Sequence, residues 1–499
     1  MDFLKNVSTG FDVALTLVNL LYCFSGVLLG TLVGVLPGIG PVTTVAILLP
    51  FSFTLPPESA LIMLAGIYYG AQYGGSTTAI LVNIPGEASS VITTIDGHKM
   101  ALAGRAGPAL GIAALGSFFA GCAATLLIVA AAPPLASIAL QFGPAEYFSL
   151  MVCGLIAAIV LAHGSVIKAL GMVVLGLMFG IAGTDINSGI RRFTFGFNGL
   201  ADGIEFVALS MAIYGLADIA INLEKKADEA HVEKHIGNVW PSWNDIKFCI
   251  PSVLRGTGLG AILGVLPGGG ALLAAFAAYT LEKKVASKPR RFGQGDIRGV
   301  AAPESANNAG AQTSFIPMLT LGIPSNPTMA MMIGAMMIHG ISPGPRVMTD
   351  RPGLFWGLIA SMWIGNLMLV ILNLPLVGMW VKLLRIPYRM LYPSIVIFCC
   401  IGAYAVNGNV FDLYVMAFFA AFGYICVKLE CEPAPLILGF VLGPMMEENL
   451  RRSLLISRGD FSVFLQEPIS LAFLVASLGL LLVVAMPAIR KTRDEAMQE

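Results

Sequence analysis

Apolar runs separated by brief polar interruptions occupy almost the whole chain. Uncharged stretches cover residues 13–57, 59–86, 106–145, 147–167, 256–281, 305–345, 353–381, 393–411 and 468–489. Shorter ones lie at 169–184, 206–217, 413–427 and 433–446. A membrane-spanning helix needs about 20 mostly apolar residues, so this pattern predicts about 10–14 membrane helices. The longest stretches must hold two helices or a broken, re-entrant one. The expected fold class is an all-α polytopic membrane protein.

Composition agrees with the pattern and narrows the function. Hydrophobic residues make up 57% of the 499 residues and charged residues 12%, against about 45–50% and about 25% in ordinary soluble domains. Mean hydropathy is +0.82. Lys+Arg and Asp+Glu are both 29, so the formal net charge is zero. Disorder, which needs low hydrophobicity and high net charge, is excluded. So is the basic excess that neutralises nucleic-acid phosphates. The eight cysteines fall mostly in apolar runs without zinc-ligand spacing, which reads as buried thiols. The first apolar run, from about Phe11, is too long for the core of a cleavable signal peptide, and none is expected.

Charge collects in a few places. The main ones are 224–247 and 282–298, with smaller basic clusters at Lys382/Arg385/Arg389, Arg451/Arg452/Arg458 and Arg490/Lys491/Arg493. The positive-inside rule makes these candidates for the cytoplasmic face. Arg191/Arg192 and Lys225/Lys226 bracket one possible helix, so the rule cannot satisfy every cluster. No segment is long enough for a soluble catalytic domain, which places the function in the bilayer.

Two halves carry related motifs. Residues 30–40 read GTLVGVLPGIG and residues 260–270 read GAILGVLPGGG, an offset of 230 from Gly30 to Gly260. Downstream, YYGAQYGGSTTAILVNIPGEASS (68–90) corresponds to NNAGAQTSFIPMLTLGIPSNPTM (307–329). The expected organisation is a first half over 1–223 (motif blocks 26–40 and 66–110), a polar cytoplasmic linker over 224–247, and a second half over 248–499 (motif blocks 254–270 and 302–346) that includes C-terminal helices. The segment 248–281, flanked by basic residues on both sides, reads as a hairpin with Pro267 and the glycines after it at the turn. The region 11–57 lacks such flanks, and repeats of inverted topology would explain the difference.

Gly/Pro-interrupted apolar segments at corresponding places in two halves are the sequence pointer to a transporter site. Breaks are expected at Pro37, Gly38 and Gly40 and at Pro267, Gly268 and Gly270. Broken backbone at membrane depth survives only inside protein or beside a water-filled cavity, where its free N–H and C=O groups can bind ions. Polar residues denser than helix packing requires mark the candidate substrate- or ion-binding set. In the first half these are Gln72, Gly74, Gly75, Ser76, Thr77, Thr78, Asn83, Pro85 and Gly86. In the second they are Asn307, Asn308, Gln312, Thr313, Ser314, Pro324, Ser325, Asn326 and Thr328. Ser325 can cap a helix that has Pro327 in its first turn, with N–H groups aimed at an anion. The Asp96-Gly97-His98-Lys99 cluster, Glu87 and Glu304 are ionisable groups between apolar runs, and each is a site candidate as well as a buried structural group.

Other chemistry is absent. No GxxxxGK[ST] or HExxH occurs, and the Gly-rich stretch at 256–260 lacks the strand and acidic partner of a dinucleotide fingerprint. His163 and His339 stand alone in apolar runs. No catalytic or metal-ligand set is assigned and no organic cofactor is expected. The rival readings are an intramembrane enzyme, for which Asp96, His98 and Glu304 are the only candidate residues, and a channel.

Taken together, the paired motif blocks resemble the large membrane subunit of the tripartite tricarboxylate transporters (TctA-like), over essentially the whole chain. The resemblance implies a multi-pass secondary carrier of the bacterial inner membrane for citrate-like tri- and dicarboxylates, and not an enzyme. It implies two partners, a small four-helix membrane subunit (TctB-like) and a periplasmic substrate-binding protein (TctC-like). It implies symport driven by a sodium or proton gradient. The motif blocks hold few basic residues, Lys99, Arg105 and Arg346 being the nearest. Compensation of the substrate's charge is therefore expected from backbone N–H groups, neutral donors and co-transported cations.

Overall fold

The computed structural model describes residues 2–36, 40–162, 165–185, 188–224, 238–267, 270–286, 291–383 and 388–485. Pro37, Gly38, Gly268, His163, Lys225/Lys226, most of the 224–247 linker, Arg385 and Arg490/Lys491/Arg493 lie outside the described residues.

The chain is all-α. The first half comprises α1 (Asp2–Ala14), α2 (Leu17–Val35), α3 (Pro41–Ser52), α4 (Pro57–Val82), a short 3-10 turn (Ala88–Ser90) running into α5 (Val91–Met100), α6 (Ala106–Ala139), α7 (Pro144–Leu161), α8 (Val166–Gly180), α9 (Phe206–Ser210) and α10 (Ala217–Glu224). The second half opens with α11 (Trp243–Leu263), α12 (Gly270–Val285), α13 (Arg298–Thr313), α14 (Phe315–Leu321) and α15 (Pro327–Ile338). It continues with α16 (Val347–Asp350), α17 (Pro352–Asn373), α18 (Val377–Leu383), α19 (Tyr388–Asn407), α20 (Val410–Lys428), α21 (Pro433–Ile456), α22 (Val463–Gln466) and α23 (Pro468–Ala485). Among the described residues the only strands are the two-residue pair Gly183–Thr184 and Arg191–Arg192. Among the described residues seven helices are long and apolar enough to cross a membrane, and five shorter apolar helices accompany them.

Two polar helices form the centre. α4 is buried from Ser59 to Val82 and α13 along its whole length, so neither needs an apolar outer face. Each is clasped by a glycine-striped neighbour. A Cβ on Gly26, Gly30 or Gly34 of α2 would stand 2.2–2.4 Å from the carbonyl oxygens of Met63, Ile67 and Ala71 on α4. A Cβ on Gly256, Gly260 or Gly264, at the offset of 230, would stand 2.2–2.3 Å from those of Ala302, Ala306 and Gly310. Small residues at every fourth position let the backbones touch, which is how helices associate where lipid removes the hydrophobic drive.

α11 and α12 form the expected antiparallel hairpin. Near its open end Arg255 donates two hydrogen bonds, at 2.7 and 2.8 Å, to the buried carboxylate of Glu282, and Ser252 donates a third at 2.8 Å. Elsewhere Arg451 bridges Asp185 and Glu447 at 2.9 and 2.7 Å, and Arg192 joins Glu447 at 2.6 Å. Glu224 pairs with Lys428, the last residue of α20.

Candidate functional site

Pro and Gly stop helices and restart them, and four of these restarts meet. Gly40 precedes α3, Glu87 caps the turn leading into α5, Gly270 opens α12, and Asn326 caps α15. Residues from each of these first turns line one cavity of about 540 Å³, within the range of small-molecule sites. The first turn of α21, from Glu432, joins them. First-turn N–H groups have no intrahelical acceptor, and the aligned peptide dipoles leave a partial positive charge there. Pro41, Pro327 and Pro433 occupy the first helical position, where a missing N–H costs nothing. No Lys, Arg or His is among the described residues that line the cavity. Glu87, Asp218 and Glu432 do line it, so an anion held there would rely on the main-chain dipoles and on neutralisation of those acids.

The side chains add polar donors and acceptors. Asn326 takes the Met329 N–H on its Oδ1 at 3.0 Å and donates Nδ2 to the Tyr68 hydroxyl at 3.2 Å. The helix cap is therefore Asn326 and not Ser325. Ser325 is fully buried and donates to the Ser314 carbonyl at 3.3 Å. Ser89 donates to Gln72 Oε1 at 2.9 Å and also contacts Glu87, which accepts from Asn307 Nδ2 at 3.2 Å.

The residues singled out in the sequence divide into three groups. Gln72, Asn326, Thr328, Gly40 and Gly270 line the cavity. A second group packs behind it. Ser76 contacts Glu304, Asn308 bonds Ser117 at 2.7 Å, and Thr78 donates to the Gly34 carbonyl at 3.1 Å. Gly74 and Gly86 press on the backbones of Thr31 and Gly34, and Gly75 on Glu87. Thr313 and Ser314 donate to the carbonyls of Ala309 and Ala311, while the amide of Gln312 is buried with no partner among the described residues. Thr77 and Pro324 are buried. The third group serves turns. Asn83 is exposed in the left-handed cap that ends α4, Pro85 follows it, and Pro267 lies in the turn before α12.

α4 runs unbroken through Gly74–Thr78, so its carbonyls are occupied by helix hydrogen bonds and the glycines serve close packing. Asp96 is likewise structural. Its oxygens accept the N–H groups of Gly293, Gly295 and Asp296 at 3.0, 2.7 and 3.0 Å and the Tyr279 hydroxyl at 2.8 Å. His98 contacts the Ile80 carbonyl at 3.1 Å and Lys99 the Gly293 carbonyl. The cavity residues that sequence reasoning overlooked include Thr43, Tyr68, Tyr214, Asp218 and Glu432. Signals existed for three: Tyr68 is one helical turn from Gln72, and Asp218 and Glu432 are isolated acids beside apolar runs.

Comparisons agree with this architecture. A family profile described as "Tripartite tricarboxylate transporter TctA family" matches residues 20–438. An "Uncharacterized 52.8 kDa protein in TAR-I ttuC' 3'region" of Agrobacterium vitis is 58% identical over 499 residues, covering 100% of this chain and 99% of the relative. An "Uncharacterized protein in TAR-II ttuC' 3'region" of the same organism is 58% identical over 240 residues, 48% of this chain and 99% of the relative. No solved structure matches. A multi-pass helical chain with this motif pattern, matched along most of its length, is a transporter component and not an enzyme: it belongs to the tripartite tricarboxylate transporter TctA family.

Proposed function

We propose that this chain is the large membrane subunit of an importer that moves citrate-like tri- and dicarboxylates across the bacterial inner membrane. It works as a symporter with sodium ions or protons. A periplasmic binding protein delivers the substrate, and a small four-helix membrane subunit completes the membrane part. The observation that carries the reading is the meeting of four helix starts, at Gly40, Glu87, Gly270 and Asn326, in one cavity. An anion with two or three charges cannot enter hydrocarbon, and a site built from N–H dipoles can hold it without a fixed cation that would retain it. Moving one charge through the potential involves about 2.3 kcal/mol per 100 mV, so enough co-transported cations make uptake of the anion favourable.

The two halves act as inverted repeats, and the part that carries the helix starts moves against the remaining helices in an elevator-like step that exposes the cavity to either side in turn. The test is uptake of labelled citrate by liposomes holding the chain with its small partner, supplied with the binding protein. Saturable, binding-protein-dependent uptake driven by a sodium or proton gradient is expected. Uptake indifferent to both gradients, for citrate and for a dicarboxylate such as succinate, would overturn the carrier reading.

A further inference from the structure

Behind the cavity lies a second carboxyl that the anion site does not explain. Glu304 of α13 is fully buried. Its two oxygens meet the hydroxyls of Ser76 on α4 and Thr93 on α5. One helical turn further along α13, Asn307 reaches Glu87 at the cavity wall. Neither glutamate forms a salt bridge among the described residues.

The charged and titratable groups of the packed elements are engaged elsewhere or bring no positive charge. Tyr73 of α4 is neutral. On α5, Asp96 is taken by the 293–296 loop, His98 by the Ile80 carbonyl and Lys99 by the Gly293 carbonyl. Arg105 pairs with Asp245, and Arg255 of α11 with Glu282 of α12. On α13 itself Arg298 pairs with Asp296. α6 contributes Ser117, which faces the Glu304 carbonyl at 3.4 Å.

The proton count around Ser76 bears on the state of Glu304. The Ser76 hydroxyl lies 3.0 Å from the Gln72 carbonyl and also contacts Glu304 Oε2. A hydroxyl has one proton, and a backbone carbonyl cannot turn into a donor. Either that proton is shared between the two acceptors in a three-centre bond, or Glu304 supplies a second proton, donating to Ser76 while Ser76 donates to Gln72, which leaves each contact a full hydrogen bond. A second sign lies beside Glu87. Asn307 is 1% exposed and donates its Nδ2 to Glu87, yet its Oδ1 has no partner among the described residues. It is an acceptor with no donor, next to a carboxyl that could carry one.

We propose that Glu304 and Glu87 form the proton-carrying site of this protein. Glu304 stands in the acid form. Glu87, at the cavity wall, takes up a proton from the aqueous path as an anionic substrate enters, and releases it on the other side when the substrate leaves. The inference rests on the carrier reading above and selects the proton as the coupled ion. An ionised Glu87 would repel a di- or trianion and compete with it for the helix start that Glu87 caps. Protonation removes both obstacles.

Infrared spectra of the purified chain test the first element. At neutral pH a protonated-carboxyl band is expected in the unaltered protein and is expected to be lost in Glu304→Gln, with gel-filtration profiles confirming that both are folded. Liposomes holding the chain and its small partner, supplied with the binding protein and carrying a pH dye inside, test the second. Citrate uptake should acidify the lumen, and Glu87→Gln should cut that signal at least tenfold. An unchanged carboxyl band in Glu304→Gln, or sodium-driven citrate uptake with no acidification in the unaltered protein, overturns the proposal. If citrate does not enter under any gradient, the carrier reading fails for citrate while the infrared result still decides the state of Glu304.

Discussion

Asn326 donates its side-chain amide to the hydroxyl of Tyr68 at 3.2 Å and receives the Met329 N–H at 3.0 Å. One residue thus ties the start of α15 to the face of α4 that lines the cavity. Asn326→Ala removes both bonds. Loss of the cap should cost about 0.5–2 kcal/mol of stability, read as a lowered melting temperature in detergent. Asn326→Asp retains the cap acceptor, so its stability should stay near that of the unaltered chain. It places a negative charge where the substrate anion sits, and citrate binding by calorimetry should weaken by about tenfold or more, which corresponds to about 1.4 kcal/mol. Equal stability losses in the two variants would refute the assignment of Asn326 as the cap.

The glycine stripe offers a matched pair on one helix. A Cβ on Gly260 would stand 2.2 Å from the Ala306 carbonyl oxygen, whereas one on Gly258 meets nothing within 4 Å. The obstruction at Gly260 is backbone, which cannot swing aside, so α11 would have to move off α13. Gly260→Ala should lower the melting temperature sharply, by an amount on the scale of overpacking, about 1–3 kcal/mol or more. Gly258→Ala should be neutral or slightly stabilising, since Ala is the better helix former by about 0.8–1 kcal/mol. Similar melting temperatures for the two variants would contradict the close contact of α11 with α13.

The helix restarts were legible in the sequence because Pro and Gly act through local backbone physics. Pro41, Gly86, Gly270 and Pro327 all fall at or beside the first turns that line the cavity. The facing of the polar residues was not legible. Gln72, Ser76 and Thr78 read as one cluster, but a residue advances about 100° around a helix. Thr78, two residues past Ser76, is therefore turned away from it and bonds the Gly34 carbonyl of α2, while Gln72 and Ser76 share a face but sit a turn apart, Gln72 lining the cavity and Ser76 meeting Glu304. Asn83 looked like a ligand because it is polar, whereas its φ of 59° shows that it serves the left-handed end of α4, a conformation Asn tolerates well. Partners distant in sequence, such as Glu304 with Ser76 and Thr93, leave no trace in spacing.

Asp96 holds a loop rather than a ligand. Its Oδ1 accepts from Gly295 and Asp296, and its Oδ2 from Gly293 and Tyr279. Asp96→Asn replaces one acceptor oxygen by a donor that faces two other donors, stranding buried groups at a cost of about 1–3 kcal/mol. The 291–297 loop should loosen first, and trypsin should cleave after Arg291 several times faster than in the unaltered chain. Tyr279→Phe removes one of the four donors and should increase cleavage less. An unchanged rate in Asp96→Asn would mean that the loop is held by other contacts.

The anion site can be tested by filling it from within. Thr328 follows Pro327 in the first turn of α15, is 2% exposed and lines the cavity. A carboxylate in the first turn of a helix is stabilised by the peptide dipoles, by about 0.3–1 kcal/mol at an exposed site and up to about 2 kcal/mol where partly buried. Thr328→Glu would place a tethered carboxylate among the converging helix starts. If those starts form an anion site, the variant should melt no lower than the unaltered protein, and the rise in melting temperature that citrate gives the unaltered chain should disappear. If the cavity instead disfavours negative charge, the buried carboxylate would go uncompensated and the variant would lose several kcal/mol. The two outcomes differ in the sign of the stability change, so a melting curve with and without citrate distinguishes them.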